Sequence, residues 1–203
     1  MRGVLRMTLL AAAVLGSAGA AMADDWQLAK DEDGIKVYLS SVPGSKYKAY
    51  RGVVDIKADV QNIAALQDDV AGSCKWIHAC AEMRLVKQEG AGDSWTYSKI
   101  AMPWPVTGRD VVIHVTVEKT ADGGMIRHLK GDPKAVPAVP GQIRVPKLDG
   151  EWRLVPKGAG VTEVTYQVQT EPGGSIPSWL ANSFVVDAPM NTLKELRATA
   201  EKR

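Results

Sequence analysis

The sequence predicts an α+β fold in which a curved antiparallel sheet wraps around a long C-terminal helix. Three observations carry that expectation. Apolar and polar residues alternate through most of the chain from Gly34 to Glu171, the period of half-buried strands. Turn residues interrupt the alternation at short intervals, so successive strands pair as hairpins and the sheet is antiparallel. The chain then ends on one long segment of helical period, which must cover the sheet's apolar face.

Taken in order, "GIKVYLSSV" reads as a strand, Pro43-Gly44 as a turn and "KYKAYRGVVDI" as its partner. "ADVQNIAALQDDV" has a helical period, with Val60, Ile63, Ala64 and Leu66 along one side. "AEMRLVKQEG" and "SWTYSKIAM" pair around Gly90 and Gly92; "RDVVIHVTVEKT" and "GMIRHLKGD" pair around Asp122-Gly123-Gly124. In "GQIRVPKLDGEWRLVPKG", Asp149-Gly150 is a hairpin signal, and "GVTEVTYQVQTE" closes the strand series. In the terminal segment Ser175 offers a cap and Pro177 suits a first turn. Trp179, Val186, Met190, Leu193, Leu196 and Ala200 then recur on one side. Pro189 lacks an N–H and crowds the preceding turn, so a bend or a restart capped by Asp187 is expected there.

The first residues stand apart. Arg2 and Arg6 precede an apolar run from Met7 to Leu15, too short to span a bilayer, and Ala21-Met22-Ala23 fits a leader cleavage site. Residues 1–23 are therefore expected to be a signal peptide, residues 24–203 one exported domain, and the location periplasmic; a retained N-terminal anchor is the alternative. Removing Arg2 and Arg6 from 25 basic residues balances the 23 acidic ones. Such a chain has no general attraction for nucleic acid or strongly anionic membrane. Cys74 and Cys80 in "GSCKWIHAC" are the two cysteines. An exported chain meets oxidising conditions, so a local disulfide is the natural reading and two free buried thiols the alternative. Their spacing is not that of a zinc site, and His78 between them has no fourth ligand nearby.

No nucleophile elbow, phosphate loop, dinucleotide fingerprint or zinc-protease motif occurs. His78, His114 and His128 are scattered, and His114, alternating with Ile113 and Val115, should face away from them. The apolar alternation says more. Val111, Ile113, Val115 and Val117 share a face; Trp152 joins Leu154; Tyr166 lies between Val164 and Val168; Trp95 alternates with Tyr97. These residues form either an ordinary core or the wall of an apolar pocket, because one helix cannot fill a wide, strongly curved sheet.

"PWPVTGRDVV" resembles the signature of START (StAR-related lipid-transfer) domains, and the similarity continues through "GEWRLVP", "GVTEVTYQVQTEPGGSIPSWLAN" and "APMNTLKELR". It covers roughly Trp26 to Arg203. The resemblance implies a helix-grip fold, with a tunnel for one lipid or sterol between the sheet and the C-terminal helix. It implies a gate made of that helix and a loop between strands, here "GDPKAVPAVPGQ". Several sterol-carrying members place an arginine six residues past the arginine of Arg-Asp. Val115 stands there in this chain, so a charged anchor is missing at that place.

The expected ligand-binding set is Trp95, Tyr97, Trp104, Val111, Ile113, Val115, Trp152, Tyr166, Trp179, Val186 and Met190. Trp104, fixed between Pro103 and Pro105, is expected against the cavity rim or the terminal helix. Arg109 and Asp110 are expected to fix the start of a strand through hydrogen bonds. No cofactor is called for. The leading reading is a monomeric periplasmic carrier of a lipid or other apolar small molecule, acting without chemical change and with transient membrane contact. A cyclase- or hydrolase-like enzyme using the same cavity, and a non-transporting interaction module with a filled interior, are the competing readings.

Overall fold

The structure, a computed structural model, describes residues 25–202, apart from the side chains of Ser178 and Trp179. The expected signal peptide, residues 1–23, lies outside the described residues.

Ten strands form one sheet: β1 (Gln27–Glu32), β2 (Ile35–Ser40), β3 (Ala49–Ile56), β4 (Cys80–Gln88), β5 (Asp93–Ile100), β6 (Arg109–Lys119), β7 (Met125–Gly131), β8 (Ile143–Arg144), β9 (Lys147–Gly158) and β10 (Val161–Glu171). Their order is β1-β2-β3-β10-β9-β7-β6-β5-β4, with β8 beside β6. Every neighbouring pair on the main path is antiparallel, as the hairpin pattern requires; the two-residue β8 runs parallel to β6. Helix α1 (Val60–Asp68) and a 3-10 turn over Val70–Lys75 connect β3 to β4. The Asp59 carboxylate caps α1 by accepting from the Asn62 N–H. Val60, Ile63, Ala64 and Leu66 are its buried residues, the face the sequence pattern marked.

Helix α2 (Ser178–Ala200) closes the fold and packs against β2 and β3. It runs unbroken through Pro189, so Asp187 caps no restarted segment. Ser175 is not its cap either. Pro177 holds that position without a side-chain bond, and its carbonyl accepts from the N–H groups of Leu180 and Ala181. Gly52 on β3 lets the helix approach: a Cβ there would lie 2.6 Å from Leu193 Cδ1 and 3.2 Å from Pro189 Cβ. Leu193 and Leu196 are fully buried at this seat, and Met190 and Ala200 join them.

Two local expectations are corrected. Asp149-Gly150 is not a hairpin turn but the interior of β9, paired with Gln169 and Val168 on one side and with Lys130 and Leu129 on the other. The glycine answers to crowding, since a Cβ at Gly150 would lie 2.4 Å from the Gln167 carbonyl oxygen. β1, not expected from the sequence, is an edge strand whose residues are mostly exposed, so no apolar alternation announces it.

Candidate ligand-binding site

Between the sheet's concave face and α2 lies a cavity of about 620 Å³. Strand β6 supplies its longest wall. Val111, Ile113, Val115 and Val117 all line it, alternate residues on one face of the pleat. Trp152 of β9 and Tyr166 of β10 line it too, directly opposite each other and stacked at 3.8 Å between ring centroids. Trp76 meets Trp152 edge-on at 5.9 Å, and Tyr50 meets Tyr166 edge-on at 5.5 Å. Burial pushes the Tyr50 and Tyr166 phenols upward from their ordinary value, so both stay neutral.

Helix α2 presents two stripes. Ala181, Phe184, Val185, Ala188 and Thr192 recur at three-, four- and seven-residue steps and face the cavity. Met190, Leu193, Leu196 and Ala200 belong to the packed core. This division corrects two expected positions. Met190 packs into the core, and Val186 lies one residue, about 100° of helix, off the cavity stripe. Trp179 falls in the first turn of α2, but its side chain lies outside the described residues.

Trp95 and Tyr97 are on the opposite face of β5 from the cavity. Directly opposite residues on antiparallel strands share a face, and Trp95 and Tyr97 pair with His114 and Val112 of β6. The partners of the inward Val111, Ile113 and Val115 are Ser98, Thr96 and Ser94, and these line the cavity. Trp95 stacks on His114 at 3.9 Å and donates Nε1–H to Asp132 Oδ2 at 3.0 Å. His114 holds Asp93 Oδ1 at 2.7 Å, away from the cavity as expected. Tyr97 is buried beneath Arg84, whose guanidinium lies 4.5 Å from the ring centroid. Trp104 is also corrected: it packs on neither the rim nor α2 but is 93% exposed, in the loop joining β5 to β6.

Arg109 and Asp110 have a structural role, as expected, but they fix loops as well as the strand. Arg109 is 2% exposed. It donates to the carbonyls of Thr107, Gly173 at 3.1 Å and Ser175 at 3.3 Å, tying down the segment that leads into α2. Burial lowers its guanidinium from the ordinary value without threatening its charge. Asp110 is fully buried and accepts from Arg144 Nε at 3.0 Å and Nη2 at 2.9 Å. Arg144 also donates to the carbonyls of Pro133, Val136 and Pro137, so it pins the proline-rich loop before β8. The Asp110 bond raises the Arg144 guanidinium from its ordinary value.

Cys74 and Cys80 form the disulfide, with an S–S distance of 2.03 Å. It closes the turn carrying Trp76 and His78. The His78 N–H donates to Thr192 Oγ1 at 3.0 Å, which connects this turn to α2. Among the described residues no group of His, Cys, Asp and Glu could hold a metal ion, and no helix is long and apolar enough to cross a membrane.

A family model described as START domain matches residues 9–203. The chain belongs to the START domain family. A STAR-related lipid transfer protein from Xanthomonas axonopodis superposes with a TM-score of 0.81 at 41% identity, covering 87% of this chain and 99% of that one. The chain is 26% identical over 178 residues to the phosphatidylcholine transfer protein of Bos taurus, covering 84% of this chain and 82% of that one. It is 80% identical over all 203 residues to uncharacterized protein PA1579 of Pseudomonas aeruginosa, covering 100% of both chains. The helix-grip arrangement expected from the START resemblance is the fold observed, and the family supports lipid binding or transfer in general terms.

The sequence reading missed Tyr50, Gln67, Trp76, Phe184 and Arg127 on the cavity wall. Arg127 had a usable signal. It lies midway between Met125 and Leu129 on β7, so alternation already placed it with two inward residues. The cavity wall therefore carries two buried cations, Arg109 and Arg127, neither of them at the Val115 position.

Proposed function

We propose that this START domain binds one lipid or comparable apolar small molecule in its cavity, in the periplasm, and carries it without chemical change. The observation that carries the reading is the cavity itself: about 620 Å³, walled by the β6 valines and isoleucine and by one stripe of α2. That volume lies within the range of small-molecule sites. Burying about ten methylenes at ~0.8 kcal/mol each contributes roughly 8 kcal/mol before association and ordering costs. Such binding requires no reactive group. The lipid-transfer names of the Xanthomonas and bovine relatives support the ligand class. The apolar run and small-residue site at the N-terminus support export. Exposed Trp104 offers an amphipathic ring for brief contact with a bilayer surface while the ligand enters or leaves.

The test is native mass spectrometry, with lipid extraction, of protein purified from the periplasm. The expected result is one lipid per monomer, recovered unaltered and exchangeable with vesicles. Recovery of a chemically altered ligand that the protein turns over would replace the carrier reading with an enzymatic one. Protein absent from the periplasmic fraction would overturn the location.

A further inference from the structure

The cavity wall is not uniformly apolar. Four buried polar atoms on it make no hydrogen bond among the described residues: Arg109 Nε, at the clasp before α2, and, apart from it, Gln67 Nε2, Gln67 Oε1 and Arg127 Nε. Buried polar groups are normally paired, and an unpaired one costs stability. Three at one end of a ligand cavity are a feature to be explained.

The three belong together. Arg127 of β7 donates Nη2–H to the Ala64 carbonyl at 3.3 Å and to Asp68 Oδ1 at 2.7 Å, both on α1. Gln67 is three residues beyond Ala64 on the same helix, which puts it on the side of α1 that Arg127 reaches, and both residues line the cavity. Arg127 is only 7% exposed, while the Asp68 side chain is 67% exposed. The ion pair thus runs from the cavity wall outward to solvent. Arg127 pairs with Val117 of β6, eight residues beyond Arg109. At ~3.3 Å per residue these ends of the wall are about 26 Å apart. The polar group lies at the end remote from the Arg109 clasp.

The chemistry defines a complement. Arg127 already has its counter-charge in Asp68, so the facing ligand group is uncharged. Arg127 Nε and Gln67 Nε2 donate, whereas Gln67 Oε1 accepts. A carboxylate, an ester or an ether can accept but cannot donate to Oε1. A hydroxyl does both. We infer that Gln67 and Arg127 form a subsite for the hydroxyl end of an uncharged lipid, whose hydrocarbon lies along the β6 wall toward Arg109. This deepens the proposed carrier function and rests on it.

The test is displacement of Nile red from the purified, delipidated protein by three ligands with one chain length: hexadecanol, hexadecyl methyl ether and palmitate. Hexadecanol should bind about tenfold more tightly than the ether, the scale of a satisfied neutral hydrogen-bonding site. Gln67→Met keeps the side-chain length and removes the amide. It should abolish the alcohol's advantage and leave the ether's affinity unchanged. The ligand-free variant should melt no lower than the parent, because a buried unpaired amide has been removed; an amide with a purely structural role would lower the melting temperature instead. Equal affinity for alcohol and ether in the parent overturns the subsite while leaving the carrier reading intact. Palmitate binding most tightly, with no response to Gln67→Met, would do the same. Failure of all three ligands to displace the dye overturns the subsite and the carrier reading together.

Discussion

Replacing Arg144 by methionine tests the clasp formed around Asp110. In the parent, the Asp110 carboxylate is fully buried and receives two bonds from one guanidinium, at 3.0 and 2.9 Å. Arg144→Met removes both and leaves an uncompensated buried charge, which costs about 3–5 kcal/mol. The carbonyls of Pro133, Val136 and Pro137 also lose their donor, but they belong to a half-exposed loop and regain water, so they add little. For a domain of this size each kcal/mol shifts Tm by about 2–4 °C, so a fall of roughly 6–20 °C is expected. Differential scanning calorimetry measures it, with circular dichroism as the check on the folded state. Adding Asp110→Asn to Arg144→Met should recover part of the loss, because the amide carries no charge to strand; the coupling in the double-mutant cycle is then of order 2 kcal/mol. A fall below about 2 °C, or a double variant less stable than Arg144→Met alone, would refute the clasp as a stabilising element.

Three further outcomes are expected. Gly52→Ala should destabilise by about 1–3 kcal/mol in a urea titration, because the new Cβ meets Leu193 at 2.6 Å where the helix cannot retreat; an unchanged midpoint would show that α2 sits less closely on β3. Val115→Asp places an unpaired charge on the cavity wall and should abolish Nile red binding, whereas His114→Ala on the opposite face should leave it nearly intact; equal binding by both folded variants would remove β6 from the site. Amide exchange should be faster over residues 182–188 than over residues 193–200, because the first segment faces the cavity and the second is seated against β3; uniform protection would exclude local opening at the start of α2.

The sequence made the sheet legible because alternation, hairpin turns and the terminal helical period are local signals. The β6 wall was legible for the same reason, since Val111, Ile113, Val115 and Val117 leave no doubt about which face is apolar. The face of β5 was not legible from β5 alone: Trp95 and Tyr97 alternate as convincingly as Thr96 and Ser98. Only the register against β6 sends the aromatics outward, and register is a property of two strands. A similar limit explains Met190 and Val186. A helix with apolar residues on two adjoining stripes shows that both are buried but not which one meets the sheet. Asp149-Gly150 failed differently. Its composition is that of a turn, and a crowded strand interior selects glycine just as strongly. Arg127 was legible from the alternation of β7 and was passed over, whereas Gln67, a polar residue on a short helix, reads as solvent-facing until the cavity beside it is known.

The Arg-Asp pair at the start of β6 can then be understood from the period of a strand. Adjacent residues point to opposite faces, so a dipeptide at a strand's mouth reaches two places at once. Arg109, on the side of Val111, projects toward the cavity and holds the carbonyls of Gly173 and Ser175, the last links before α2. Asp110, on the side of Val112, reaches the outer layer and holds Arg144, which in turn gathers the loop through Pro133, Val136 and Pro137. The first turn of α2 has no side-chain cap of its own; the Arg109 bonds hold the segment that leads into it, and Leu180 in that turn is buried. The C-terminal half needs no such help, because Leu193 and Leu196 are buried against β3. The C-terminal half is thus held by packing, whereas the N-terminal end combines the buried Leu180 with the hydrogen bonds that Arg109 makes to the segment before it. Packing is lost only when the core opens, whereas hydrogen bonds to backbone carbonyls can be exchanged for water one at a time. The end of α2 that borders the cavity is therefore the end expected to open first, which the amide-exchange comparison of residues 182–188 with residues 193–200 tests.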